Sequence, residues 1–146
     1  MPAQRTSGRL KALLVSRRAA ILPGTPNALF ARVIAAHGFE AVYVTGAGIA
    51  NMSLGVPDIG IVTLSELAEH VAAISDAVDI PVLVDADTGF GNALNVGRTV
   101  RLLERAGAAG IQIEDQVFPK KCGHFSGKQV IPCNDMVGKI LSLIHI

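Results

Sequence analysis

Three acidic positions stand at the ends of apolar runs. Val84 leads into Asp85-Ala86-Asp87-Thr88-Gly89, and Ile113 leads into Glu114-Asp115. Side chains two apart in an extended segment share a face, so Asp85 and Asp87 present their carboxylates to one side. Glu114 holds the equivalent place on the following run. Grouped carboxylates repel one another unless a cation lies between them, and ligation by oxygen alone suits Mg2+ or Mn2+. A few residues beyond Glu114 comes Lys120-Lys121-Cys122-Gly123-His124. Two lysines before a thiol and an imidazole after it favour the thiolate, which brings the thiol proton within reach of neutral pH. A hard-cation site with a cysteine held over it points to an enzyme. The plainer alternative makes Asp87 a helix cap, Glu114 a surface residue and Cys122 a structural thiol. A zinc site from Cys122, His124 and Cys133 is poorer, because no fourth ligand is spaced for it.

The elements that must carry these groups alternate in type. Helical periodicity covers residues 8–17, 27–37, 65–77 and 95–106, and short apolar runs at 19–22, 41–44, 80–84 and 109–113 read as strands. Thr63, three residues before Glu66, is an N-cap, and Gly38 a C-terminal stop. The run at 80–84 lacks polar alternation, as a strand buried on both faces requires. Brief continuous strands between amphipathic helices predict a parallel α/β fold.

Composition narrows the classes. Of the 146 residues half are hydrophobic, enough for one core, and the net charge of +1 gives no field drawing nucleic acid. Trp is absent and aromatics are few, so stacking platforms for single strands are missing. Apolar runs break well short of the ~20 residues a membrane span needs. Two cysteines make no disulfide framework and no signal-like segment opens the chain, so a cytoplasmic setting is expected. The basic front, with no acidic residue before Glu40, is read as a first helix packed on the domain, although a transit peptide has similar features.

A doubly wound sheet and a (β/α)8 barrel both satisfy the pattern. Gly46-x-Gly48 lacks the third glycine of a dinucleotide fingerprint, and acidic residues close successive strands, where barrel active sites gather. The barrel is therefore favoured. Four strands are visible, whereas a complete barrel needs eight strands and roughly 250 residues. The expectation is a TIM barrel truncated to about its first four βα units.

Five segments in order closely resemble the isocitrate lyase/phosphoenolpyruvate mutase superfamily: Tyr43-Val44-Thr45-Gly46-Ala47-Gly48, Leu54-Gly55-Val56-Pro57-Asp58, Val84 to Gly91, Ile113-Glu114-Asp115-Gln116 and Lys120 to His124. Within it, the chain is most similar to the 2-methylisocitrate lyase and dimethylmalate lyase branch, often catalogued as carboxyvinyl-carboxyphosphonate phosphorylmutase-like. The resemblance implies a barrel of about twice this length and a homotetramer that swaps its eighth helix. It implies Asp85, Asp87, Glu114 and, through water, Asp58 around Mg2+ or Mn2+. It also implies that Thr45, Gly46 and Ala47 grip a substrate carboxylate, and that Tyr43 handles a hydroxyl proton or belongs to the core. Lys120 and His124 would hold substrate or the closed loop, with Gly123 and Gly127 as hinges. Cys122 would protonate a carbanion-like intermediate. The mutase branch typically carries Asn there, so cysteine favours carbon–carbon cleavage of a small 2-hydroxy di- or tricarboxylate. Oxaloacetate decarboxylation and phosphonate mutase chemistry are rivals on the same scaffold, and inactivity of this half-length chain is a third reading. Residues 1–140 are expected to be the front half of one catalytic domain. Leu141 to Ile146 departs from the family pattern and is expected to be a non-native tail.

Overall fold

The computed structural model describes residues 5–16 and 18–144. Helix α1 (Thr6–Val15) is followed by strand β1 (Gly24–Thr25), helix α2 (Ala28–Ala36) and strand β2 (Val42–Val44). A short helix α3 (Gly46–Ile49) runs into a π-helical turn, Ala50–Leu54, which ends at Gly55 in the left-handed region. Helix α4 (Leu64–Ala77), strand β3 (Val82–Asp85), helix α5 (Ala93–Arg105), strand β4 (Gly110–Gln112) and helix α6 (Cys133–Ile144) complete the order. None of the described helices is long and apolar enough to cross a membrane.

All four strands are parallel and lie in chain order, β1-β2-β3-β4. That order separates the two architectures left open by the sequence. A doubly wound sheet reverses direction at a switch point, whereas unbroken sequential neighbours, each joined by a helical crossover, form the arc of a (β/α)8 barrel. Val42 and Val44 of β2, and Val82 and Val84 of β3, turn one fully buried face towards Ala31, Leu67, Val71, Ile74 and Leu103 of α2, α4 and α5. A smaller cluster forms where Leu10 and Leu13 of α1 meet Leu22, Ala41, Leu83 and Ala109.

Caps set most helix starts. Thr63 and Glu66 form a reciprocal capping box at α4, as the spacing predicts. Asn92 and Asn95 form a second at α5, which therefore starts two residues earlier than expected. Asn27 caps α2 by accepting from Phe30 N.

Three features differ from the sequence reading. The first strand lies at Gly24–Thr25 instead of 19–22, because Tyr43 N donates to Pro23 O and Thr45 N to Thr25 O. Residues 19–22 precede the start of β2, so they have no strand beside them, and Ile21 is left exposed. The glycine-rich turn after β2 is the first turn of α3, with Thr45 Oγ1 accepting from Gly48 N at 3.2 Å. Helix α6, absent from the expectation, continues through the first residues of the anticipated tail as far as Ile144; residues 145–146 lie outside the described residues.

Candidate active site

The loop after β3 starts the site. Asp85 ends the strand, and its Oδ1 accepts from Asp87 N at 3.1 Å, so the first carboxylate shapes the turn that presents the second. Asp87 sits at φ 47° and Phe90 at 59°, and Gly89 and Gly91 are also positive. Aspartate tolerates the left-handed region because its short polar side chain bonds locally; the two glycines meet no steric cost there. The β3–β4 ladder continues beyond the strands, with Ala86 N donating to Gln112 O and Glu114 N to Asp87 O, both about 2.9 Å or shorter. Backbone pairing thus delivers Glu114 beside Asp87.

Asp87 is nearly buried and its carboxyl is pushed up to about 6, chiefly by desolvation, with the nearby Asp85 and Asp58 charges adding to the rise. Lys120 opposes that rise. Its Nζ lies 2.7 Å from Asp87 Oδ1 and 2.5 Å from Asp58 Oδ1, and the side chain is 5 % exposed. Burial works against the ammonium charge, but the two carboxylates outweigh it and hold the Lys120 pKa above its ordinary value. The one ammonium is thus shared between Asp58 and Asp87. Buried Glu114 Oε1, by contrast, has no hydrogen-bond donor.

Gly46 faces this cluster from α3. A methyl group built there would lie 3.5 Å from both Asp85 Oδ2 and Asp87 Oδ1, so the bare backbone closes one side of the carboxylate patch. Tyr43 points into the same region, where burial first and the Asp85 carboxylate second raise its phenol well above the ordinary range. The phenol therefore stays protonated at neutral pH and acts as a donor.

Among the described residues, no three His, Cys, Asp or Glu side chains converge closely enough to enclose an ion. The reason is visible in Lys120, whose ammonium stands between Asp58 and Asp87 as the local cation. The donor chemistry still fits Mg2+ or Mn2+: all the groups are carboxylate oxygens, and one of them, Glu114 Oε1, is buried without a hydrogen-bond donor.

The loop from 115 to 131 carries the remaining groups. Its base is an antiparallel ribbon in which Val117 N donates to Gln129 O and Ile131 N to Asp115 O. At its tip Cys122 Sγ lies 3.5 Å from His124 Nδ1, and Phe125 N donates to Cys122 O. Both lysines that the sequence reading set beside the thiol have other partners. Lys120 pairs with the two aspartates, and Lys121 Nζ donates to Gly127 O at 3.2 Å. Lys128 instead bridges the carbonyls of Gly123 and Phe125.

The structure thus gathers Tyr43, Gly46, Asp58, Asp85, Asp87, Glu114 and Lys120, and places half-buried Cys122 with exposed Gly123 and His124 on the loop tip. The sequence reading missed Gln116, which links Glu114 to the loop. It also missed Lys139 of α6, 8 % exposed, which donates to Thr88 O at 2.8 Å beside the acidic turn. A cavity of about 1030 Å3 touches the site at Thr88 and Gln116 and otherwise lies between α4, α5, α6 and the loops that precede α4 and α5. The buried carboxylates, not that cavity, mark the chemistry.

Comparison with known proteins agrees with this fold. Residues 10–145 match the family model described as phosphoenolpyruvate phosphomutase. The chain is 52 % identical over 143 residues to 2-methylisocitrate lyase of Aeropyrum pernix, covering 98 % of this chain and 46 % of that protein. Among solved structures, 2,3-dimethylmalate lyase, described as a PEP mutase/isocitrate lyase superfamily member, superposes with a TM-score of 0.90 at 37 % identity, over 99 % of this chain and 48 % of that one. Phosphonopyruvate hydrolase in complex with oxalate and Mg++ superposes with a TM-score of 0.87 at 33 % identity, over 97 % and 48 %. The chain spans about half the length of the curated relatives it matches.

Proposed function

The chain belongs to the phosphoenolpyruvate phosphomutase family, and from that premise we propose that its site serves a Mg2+-dependent carbon–carbon lyase. The substrate class is a small 2-hydroxy di- or tricarboxylate, cleaved to an α-keto acid such as pyruvate and a second carboxylate. The observation that carries this reading is the gathering of Asp85, Asp87 and Glu114 at adjacent strand ends, with buried Glu114 Oε1 left without a donor. Asp85, Asp87, Glu114 and Asp58 would hold the ion directly or through water, and a bound Mg2+ would supply electrostatic stabilisation of developing negative charge.

The chain's own groups divide the remaining tasks. The Thr45–Ala47 turn would orient a substrate carboxylate with backbone N–H groups and a hydroxyl, close to the acidic patch that Gly46 touches. Protonated Tyr43 would donate a hydrogen bond to the substrate hydroxyl. A general base takes that hydroxyl's proton as the C–C bond breaks. Lys120 would neutralise the acidic patch or the substrate, and Cys122 would give its proton to the carbon that loses the bond, with His124 beside it. In this arrangement the loop must close to bring Cys122 over the strand ends. A homotetramer in the cytoplasm is the expected working form.

A thiol that only protonates carbon matters for turnover and not for ion binding. In the full-length enzyme, Cys122→Ser should lower lyase turnover by about 10²–10⁴-fold, the range for a lost general acid. Mn2+ affinity by titration calorimetry should stay unchanged. Parallel assays of pyruvate release from methylisocitrate, dimethylmalate and oxaloacetate separate cleavage from decarboxylation. Full turnover by Cys122→Ser would end the proposal.

A further inference from the structure

Gln116 makes three hydrogen bonds to two partners, using both of its donors. The side chain is 7 % exposed. Its Nε2 donates to Glu114 Oε2 at 3.0 Å and to Lys121 O at 2.9 Å, and its Oε1 accepts from Lys121 N at 3.1 Å. The amide orientation follows from those partners: the reverse flip would set its carbonyl oxygen against a carboxylate and a peptide carbonyl, and its NH2 against a peptide N–H. Only a carboxamide can donate and accept in this way at one peptide unit while also holding a carboxylate.

The clamp sits where the two halves of the site join. Glu114 is tied by its backbone to Asp87 O, and one of its carboxylate oxygens goes to Gln116 while the other is buried without a donor. Lys121, the residue clamped, lies between Lys120, whose ammonium returns to Asp58 and Asp87, and Cys122. A change at Glu114 therefore reaches the thiol segment through one side chain. We infer that Gln116 is the positioning residue that couples the Glu114 carboxylate to the placement of the Cys122 thiol. The catalytic meaning of that coupling rests on the lyase reading above; the coupling itself does not.

The test uses this chain and the thiol as reporter. Alkylation of Cys122 by iodoacetamide is followed by peptide mass spectrometry, with exposed Cys133 on α6 as the internal control. Gln116→Met should label at Cys122 about tenfold faster than wild type, the factor expected when one to two net hydrogen bonds leave a local opening equilibrium. Gln116→Glu, which keeps the size and loses the donors, should behave the same way. Cys133 labelling should not move. In a double-mutant cycle, Glu114→Gln should alter the Cys122 rate in wild type and have little further effect in Gln116→Met. An unchanged Cys122 rate in both Gln116 variants, strict additivity with Glu114→Gln, or an equal rise at Cys133 would each overturn the inference. If the labelling behaves as expected while full-length Cys122→Ser keeps full turnover, the catalytic reading fails and the coupling stands.

Discussion

The strand-end carboxylates and the cysteine loop are built by different means. Asp85, Asp87 and Glu114 stand on backbone hydrogen bonds that extend a parallel ladder, against a core of fully buried valines and leucines. The loop has no such support: Phe118 and Phe125 are exposed, and its tip is held by a two-strand ribbon, lysine side chains and one glutamine. On the proposed reading, charge placement falls to the part anchored by the ladder and proton delivery to the less anchored loop. Lys120 belongs to both regions, since its backbone is in the loop and its ammonium is in the carboxylate cluster.

That shared residue gives the largest expected effect. Lys120→Met leaves Asp58 and Asp87 without their counter-charge, and removing one partner of a buried ion pair costs about 3–5 kcal/mol. Urea denaturation should show a loss of that order. A loss below about 1 kcal/mol would mean that the pair is solvated and the two regions are independent.

A pH series sharpens the same contrast with a smaller effect. The Asp87 carboxyl is raised from 3.8 to about 6, so the folded chain binds its proton more tightly than the unfolded chain does. Its ionisation therefore opposes folding above about 6, and that cost is relieved as pH falls through 6 towards 3.8. Asp87→Asn, which removes the charge, should be more stable than wild type at pH 7, and the gap should narrow as pH falls to about 4. A gap that stays constant across the range would show that burial does not govern this carboxyl.

The smallest effect lies outside both regions. Thr63→Ala removes one side of the α4 capping box, at about 1 kcal/mol, and should leave Cys122 alkylation unaltered. Faster labelling there would show that loop placement follows global stability instead of local bonds.

Much of the frame was legible because its signals are local. The runs 41–44 and 109–113 each contain a strand, 80–84 overlaps one that ends at Asp85, and Thr63 with Glu66 marks the start of α4. Asp85 and Asp87 do approach Gly46 equally, but Asp87 lies in a turn at φ 47° and not in the extended segment that the spacing argument assumed. What escaped depends on distance in the chain. Nothing near Lys120 announces that its partner is Asp58, 62 residues earlier. Gln116 looked like an ordinary polar residue because its worth lies in a peptide unit five residues on. The first strand was misplaced since pairing is decided by where β2 begins, not by where the preceding segment is most apolar.

The turn from Asp87 to Gly91, with four of its five residues at positive φ, also bears on how this protein can change. In a saturation library, substitutions to valine, isoleucine or threonine there should be depleted among folded variants, since β-branched residues are strained in that backbone region. The neighbouring helices should accept many replacements. Replacements that the fold accepts should then come mostly from elsewhere, with this short stretch held to a narrow choice of residues by its backbone.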